Sequence, residues 1–166
     1  MKRIEILFYF SIFTIILFSC KETSFDSCEF DKTIQNEITQ FNTSYLFYIK
    51  SLKTKDDEDI ELKKQNALKQ IKLSLSQINK LPKSEEDENY LNTTINYLKQ
   101  IEKSIVVTDH AYLELIKKDS LLTKEDSIEL KNLVNERLYN CDKAYLEFQF
   151  AQKKFHDKFR MKTEDN

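Results

Sequence analysis

Phe30, Ile34, Ile38, Phe41, Tyr45, Tyr48 and Leu52 recur in steps of 4, 4, 3, 4, 3 and 4 residues, with mostly polar side chains between them. That rhythm is the single apolar stripe of an amphipathic α-helix, predicted from about Cys28 to Lys53. Leu46, Phe47 and Ile49 should widen the stripe near its end. A second helix is predicted to open at Asp56-Asp57-Glu58-Asp59, because carboxylates suit the positive end of a helix dipole. A calcium loop is the competing reading, but the run lacks the glycine and the terminal glutamate of an EF-hand loop. Ile60, Ala67, Leu68, Ile71, Leu75 and Ile78 carry the second stripe. It stops near Leu81-Pro82, since a residue before proline avoids the α region. Ser84-Glu85-Glu86-Asp87 has the layout of a capping box, with Asp in the usual Glu place. A third helix follows, with Leu91, Thr94, Leu98, Ile101, Ile105, Thr108, Tyr112 and Leu115 inward, ending near Asp119. Thr123-Lys124-Glu125-Asp126 repeats the capping layout. The fourth helix carries Val134, Leu138, Cys141, Tyr145, Phe148, Gln152, Phe155 and Phe159 in steps of 4 and 3. The polar end from Met161 to Asn166 should fray.

Four amphipathic helices with short connections predict an all-α fold, an up-down-up-down four-helix bundle. The third and fourth helices read about ten residues longer than the first two, so their hairpin should project by about 15 Å. Leu115, Ile116, Leu121, Leu122 and Ile128 fall at that tip. Exposed together, they would mark a partner contact, and Leu115, Ile116, Leu121 and Leu122 are the candidate partner-binding residues. The plainer reading is that they frame a small local core between helix ends.

Composition sharpens this picture. The 166 residues contain no glycine, and Pro82 is the only proline. Hairpins and bulges of β-folds draw on both residue types, so the all-helical reading gains. Without glycine there is no P-loop, no dinucleotide fingerprint and no nucleophile elbow. The formal net charge of −2 offers no basic stripe for nucleic acid.

Few residues carry candidate chemistry. Asp109, His110 and Glu114 form the only local acid-histidine cluster, and His110 and Glu114 share a helix face at i, i+4. They are an incomplete ligand set for zinc and read as a solvated pair. His156 reads as a surface residue near the end of the fourth helix. Neither histidine follows a glutamate by three residues, as di-iron bundles require. No metal, no cofactor and no enzymatic activity are expected. Phe41, Tyr45, Tyr48, Tyr145, Phe148, Phe155 and Phe159 could line a cavity for an apolar ligand, though such stripes more often fill a core. Cys28 should lie level with the end of the fourth helix and Cys141 about 27 Å along it. No disulfide is therefore expected between them, and Cys141 reads as a small core hydrophobe.

The start of the chain follows different rules. Met1-Lys2-Arg3 precedes an apolar run of 13 residues, Ile6 to Phe18, and then Ser19 and Cys20. A basic start, a short apolar segment and a small residue before the cut make a secretory signal peptide. An uncleaved anchor is the alternative, but a membrane span needs about 20 apolar residues. Leu17-Phe18-Ser19-Cys20 resembles the lipobox of bacterial lipoproteins. The resemblance implies cleavage before Cys20, lipid (palmitate among its chains) on Cys20, and a mature protein hung from a membrane. Loss of Lys2, Arg3 and Glu5 with the leader leaves 24 basic and 27 acidic side chains, a net −3. The segment Ala144 to Phe159 resembles the closing helix of small helical envelope lipoproteins with no assigned activity, which adds fold support only. Lys21 after the cysteine resembles lipoproteins sent to the outer membrane, and Lys21-Glu22 resembles the tags of surface-exported ones.

The expected organisation is a signal peptide over 1–19, a lipidated Cys20 with a tether to 27, a bundle over 28–161 and a polar tail over 162–166. The expected function is a lipid-anchored, non-enzymatic envelope or cell-surface interaction module with a protein partner. A carrier of an apolar ligand and an immunity-type inhibitor of a secreted toxin remain open.

Overall fold

The computed structural model describes residues 27–54, 56–82, 87–117 and 122–164, apart from the side chains of Ile116 and of residues 159–164. Among these residues every regular element is helical, and no strand occurs. The elements are α1 (Ser27–Ser51), α2 (Asp57–Ile78), α3 (Glu88–Lys103), a π-helical turn (Ser104–Thr108), α4 (Asp109–Ile116) and α5 (Lys124–Glu164). The run from α3 through the π-turn to α4 is one helical stretch, so the described chain has four helices. The leader over 1–19, Cys20, most of the tether, Ser84 to Glu86 and Leu121 lie outside the described residues. Ile34–Asn166 forms one compact unit; of the other, Met1–Thr33, the description covers the opening turns of α1.

The helix starts follow local chemistry. Asp56 is the N-cap of α2, and its Oδ1 accepts from the Glu58 and Asp59 amides at 3.1 Å each. The capping box of α5 is formed in both directions. Asp126 Oδ2 accepts from the Thr123 amide and hydroxyl at 2.9 Å, and Thr123 Oγ1 accepts from the Asp126 amide at 3.1 Å. Thr123→Ala should cost about 1 kcal/mol of stability, read as a lowered urea midpoint at unchanged m-value. A shift too small to measure would mean α5 starts without its cap.

The buried stripes match the periodicity for most of their length. Ile34, Ile38, Phe41 and Tyr48 of α1 are buried, as are Ile60, Ala67, Ile71 and Ile78 of α2. Tyr90, Leu91, Thr94, Tyr97, Leu98 and Ile101 of α3 face inward together. On α5 the covered residues are Ala144, Phe148, Ala151 and Phe155. Phe148 stacks between two α3 rings, with centroids 5.9 Å from Tyr90 and 5.8 Å from Tyr97. Tyrosine hydroxyls tie α3 to α1 as well: Gln35 Nε2 donates to Tyr90 Oη at 2.8 Å, and Tyr97 Oη donates to Asn42 Oδ1 at 3.2 Å.

Two expectations need correction. Val134 and Leu138 are exposed rather than core, and Tyr145 is only partly covered. Leu46 and Phe47 do not widen the α1 stripe either; both are more than half exposed. Leu46 and Phe47 follow Tyr45 by one and two residues, a quarter to a half turn off the buried stripe, and Leu46, Leu138 and Tyr145 border an open groove between α1 and α5.

The third helix is also less regular than its stripe suggests. At Ser104–Thr108 the Asp109 amide reaches back five residues to the Ser104 carbonyl. This wide turn falls on Ile105-Val106-Val107-Thr108, four β-branched residues that crowd an α-helical turn. It keeps Ser104, Ile105, Thr108 and Asp109 buried while Val106 and Val107 point outward. No helix among the described residues is long and apolar enough to cross a membrane.

Candidate functional site

The groove between α1 and α5 has a volume of about 530 Å³, within the range of small-molecule sites. Asn42, Tyr45, Leu46 and Ile49 come from α1, Tyr97 and Ile101 from α3, and Arg137, Leu138, Cys141, Asp142 and Tyr145 from α5. The helical repeat explains the assembly. Tyr45 and Ile49 are four apart on α1, and Leu138, Cys141 and Tyr145 are spaced 3 and 4 on α5, so each set lies along one face. The walls are chiefly apolar and aromatic. Tyr45 and Tyr97 both meet the Phe41 ring, with centroids 5.6 and 5.9 Å away, and Tyr145 packs 5.4 Å from Tyr97.

A charged pair closes one end. Asp109 is 1% exposed, and Arg137 Nε meets its Oδ1 at 3.3 Å. Arg137 Nη2 donates to Tyr45 Oη at 2.8 Å, and the guanidinium carbon lies 6.0 Å from the Tyr45 ring centroid. Arg137 and Ile49 also border a second cavity of about 200 Å³ that includes Thr108, Asp109 and Tyr112. Two buried polar atoms, Tyr48 Oη and Asp109 Oδ2, have no hydrogen-bond partner. The two groups are neighbours all the same: Asp109 raises the Tyr48 hydroxyl, and the Tyr48 hydroxyl lowers the Asp109 carboxyl.

Burial sets the protonation of this cluster. It raises the Asp109 carboxyl above the ordinary carboxylate value, although Arg137 pulls the other way. The Tyr45, Tyr48 and Tyr97 hydroxyls are pushed up, mainly by burial, so all three keep their protons at neutral pH. The Cys141 thiol is raised for the same reason. It is therefore a poor nucleophile, since the thiolate is the reactive form.

The sequence-derived candidates are distributed as follows. Leu115 is buried and Leu122 is 36% exposed; Cys20 and Leu121, and the side chain of Ile116, lie outside the description. The acid-histidine cluster does not assemble. Asp109 turns inward to Arg137, His110 is exposed, and Glu114 pairs with Lys117 at 3.7 Å. Cys28 and Cys141 are both free thiols. Among the described residues no group of three or more His, Cys, Asp or Glu is placed to hold a metal.

Asn42, Tyr97 and Arg137 were not singled out by the sequence, and Asp109 was grouped with His110 and Glu114 instead. A signal for the Asp109–Arg137 pair was present. Asp109 follows Ile105 by four, and Arg137 follows Val134 by three, so opposite charges stand on two predicted inward faces. Charged residues are rarely buried unless paired, which makes each the expected partner of the other. No protein-family model, no curated protein and no solved structure matches this chain.

Proposed function

We propose that this chain is a lipid-anchored bacterial lipoprotein whose helical domain is a non-enzymatic binding module of the envelope or cell surface. In this reading Cys20 carries the lipid, the outer membrane is the address, and the four helices run up-down-up-down with a longer hairpin between the third and fourth. The lipobox residues support the anchor. The observation that supports binding is the groove, where Leu46 and Leu138 remain 57% and 52% exposed on facing helices. Apolar surface left open in this way marks a contact or ligand site. The polar groups at its end hold the helices together: Arg137 is engaged by Asp109 and Tyr45.

Protease treatment of intact cells tests the anchor and the address together, with labelled palmitate as a second readout. Wild type should take up label and fractionate with membranes, and Cys20→Ala should lose both. Label retained in Cys20→Ala would overturn the lipoprotein reading. Digestion before lysis indicates surface display, whereas protection until lysis indicates a periplasm-facing module.

The groove favours one second reading, a carrier of a small apolar ligand. Its volume and its three tyrosines suit a ligand of a few fused rings better than a protein side chain.

A further inference from the structure

Several donors in the lining of the groove are left unused by the protein. Tyr45 Oη already accepts from Arg137, so its own proton is free to donate. Tyr145 Oη accepts from Gln149 Nε2 at 2.9 Å, which leaves its proton free as well. Asn42 Oδ1 accepts from Tyr97, leaving the Asn42 amide hydrogens. Arg137 uses Nε and Nη2, leaving Nη1. No acceptor among the described residues meets these four donors. None of the four is among the buried unpartnered atoms; they border the open groove, where the acceptor oxygens of a ligand can meet them.

Charge narrows the class. The Arg137 cation is already balanced by Asp109 at 3.3 Å, and Asp142 adds a negative charge to the lining. An anionic ligand would meet only Nη1 of a cation already balanced by Asp109, and would then face Asp142. Uncharged acceptors carry neither cost. The three aromatic walls favour a flat ring system.

We propose that the α1–α5 groove binds a neutral, planar aromatic molecule bearing carbonyl oxygens, a quinone-like compound, with Tyr45, Asn42, Arg137 and Tyr145 as the donors. This rests on the carrier reading of the groove. The ring would lie against the tyrosine side chains that line the groove, and its carbonyl oxygens would accept from the donors.

The probe is 2,3-dimethyl-1,4-naphthoquinone, whose methylated ring positions block addition of the Cys141 thiol. The full chain in detergent would be titrated, with protein-free micelles as the blank. The chain has no tryptophan, and three of its eight tyrosines line the groove, so quenching of tyrosine emission reads binding and its response to Leu138→Arg assigns that binding to the groove. Comparison probes are 2,3-dimethylnaphthalene, which lacks carbonyls, and 2-naphthoate, which carries a charge. The quinone should bind most tightly. Tyr45→Phe should weaken it about fivefold while leaving the hydrocarbon unchanged. Leu138→Arg, at an exposed rim position, should weaken it about tenfold with unchanged helical circular dichroism.

Tighter binding of naphthoate would overturn the neutral-carbonyl assignment and keep the carrier reading. Equal binding of quinone and hydrocarbon would overturn the role of the donors. Binding of none of the three, or binding indifferent to Leu138→Arg, would overturn the groove as the site. None of these outcomes bears on the anchor, which stands or falls with Cys20→Ala.

Discussion

Replacing Arg137 by Met should destabilise the protein by about 3 kcal/mol at neutral pH. The loss of one partner from a buried ion pair costs about 3–5 kcal/mol, because the remaining charge is left uncompensated. The low end applies, since the Arg137 side chain keeps 23% exposure while that of Asp109 keeps 2%. Met preserves most of the side-chain volume, so a cavity adds little. The pH dependence gives the cause away. Burial holds the folded Asp109 carboxyl above its ordinary value, with Arg137 opposing the rise. Between those two values the folded state binds more protons than the unfolded state, so this group's contribution to stability falls as pH rises. Without Arg137 the folded value climbs further and the window widens upward. The penalty of Arg137→Met should therefore be smaller at a mildly acidic pH than at neutral pH. Urea unfolding at both values checks this. The double variant Asp109→Asn with Arg137→Met removes both charges and should recover all but about 1 kcal/mol. An equal penalty at both pH values, or no recovery in the double variant, would mean that Arg137 acts through packing and its Tyr45 contact alone.

That pair also marks where periodicity stops being informative. Steps of 3 and 4 identify which residues share a helix face, and they correctly placed Ile34, Ile38, Phe41, Ile71, Leu98 and Phe148 in the core. They carry no information about the distance between two helices. Leu138 has the phase of the predicted inward residues, yet α1 and α5 leave a gap there. The same limit hid the π-turn, which preserves the inward phase of Ile105 and Thr108 while changing the hydrogen-bond ladder. Capping chemistry was legible at Thr123 with Asp126, and at Asp56 the sequence showed a dipole-favoured start without identifying the cap; both are settled within four residues. Asp109 was misread for the opposite reason. Its nearest neighbours in sequence, His110 and Glu114, suggested a local cluster, but its partner Arg137 comes from another helix. Of the candidate site, Tyr45, Tyr145 and Cys141 could be read from their stripes, whereas the donor pattern depends on which helices meet.

Phe148→Ala should be the most damaging single truncation on α5, at about 4 kcal/mol, within the range for a buried Phe cut to Ala. Phe148 is 3% exposed, and its ring meets Tyr90, Tyr97 and Tyr145 at 5.9, 5.8 and 6.2 Å. Its loss removes the filling between two α3 tyrosines whose hydroxyls bond to α1, so those rings cannot close the hole without breaking the bonds. Phe150, two residues on, provides the control. It is 61% exposed, with Lys154 Nζ 4.5 Å above its ring, and Phe150→Ala should change stability by no more than about 0.5 kcal/mol. Thermal unfolding of the two variants reads this contrast directly. Similar losses in both would mean that α5 turns a different face to α3. Phe148 also backs two of the three tyrosine walls of the groove without lining it. Phe148→Ala should therefore weaken the naphthoquinone at temperatures well below its own unfolding, and Phe150→Ala should not. Tight binding retained by Phe148→Ala would show that the groove keeps its shape without the aromatic stack behind it.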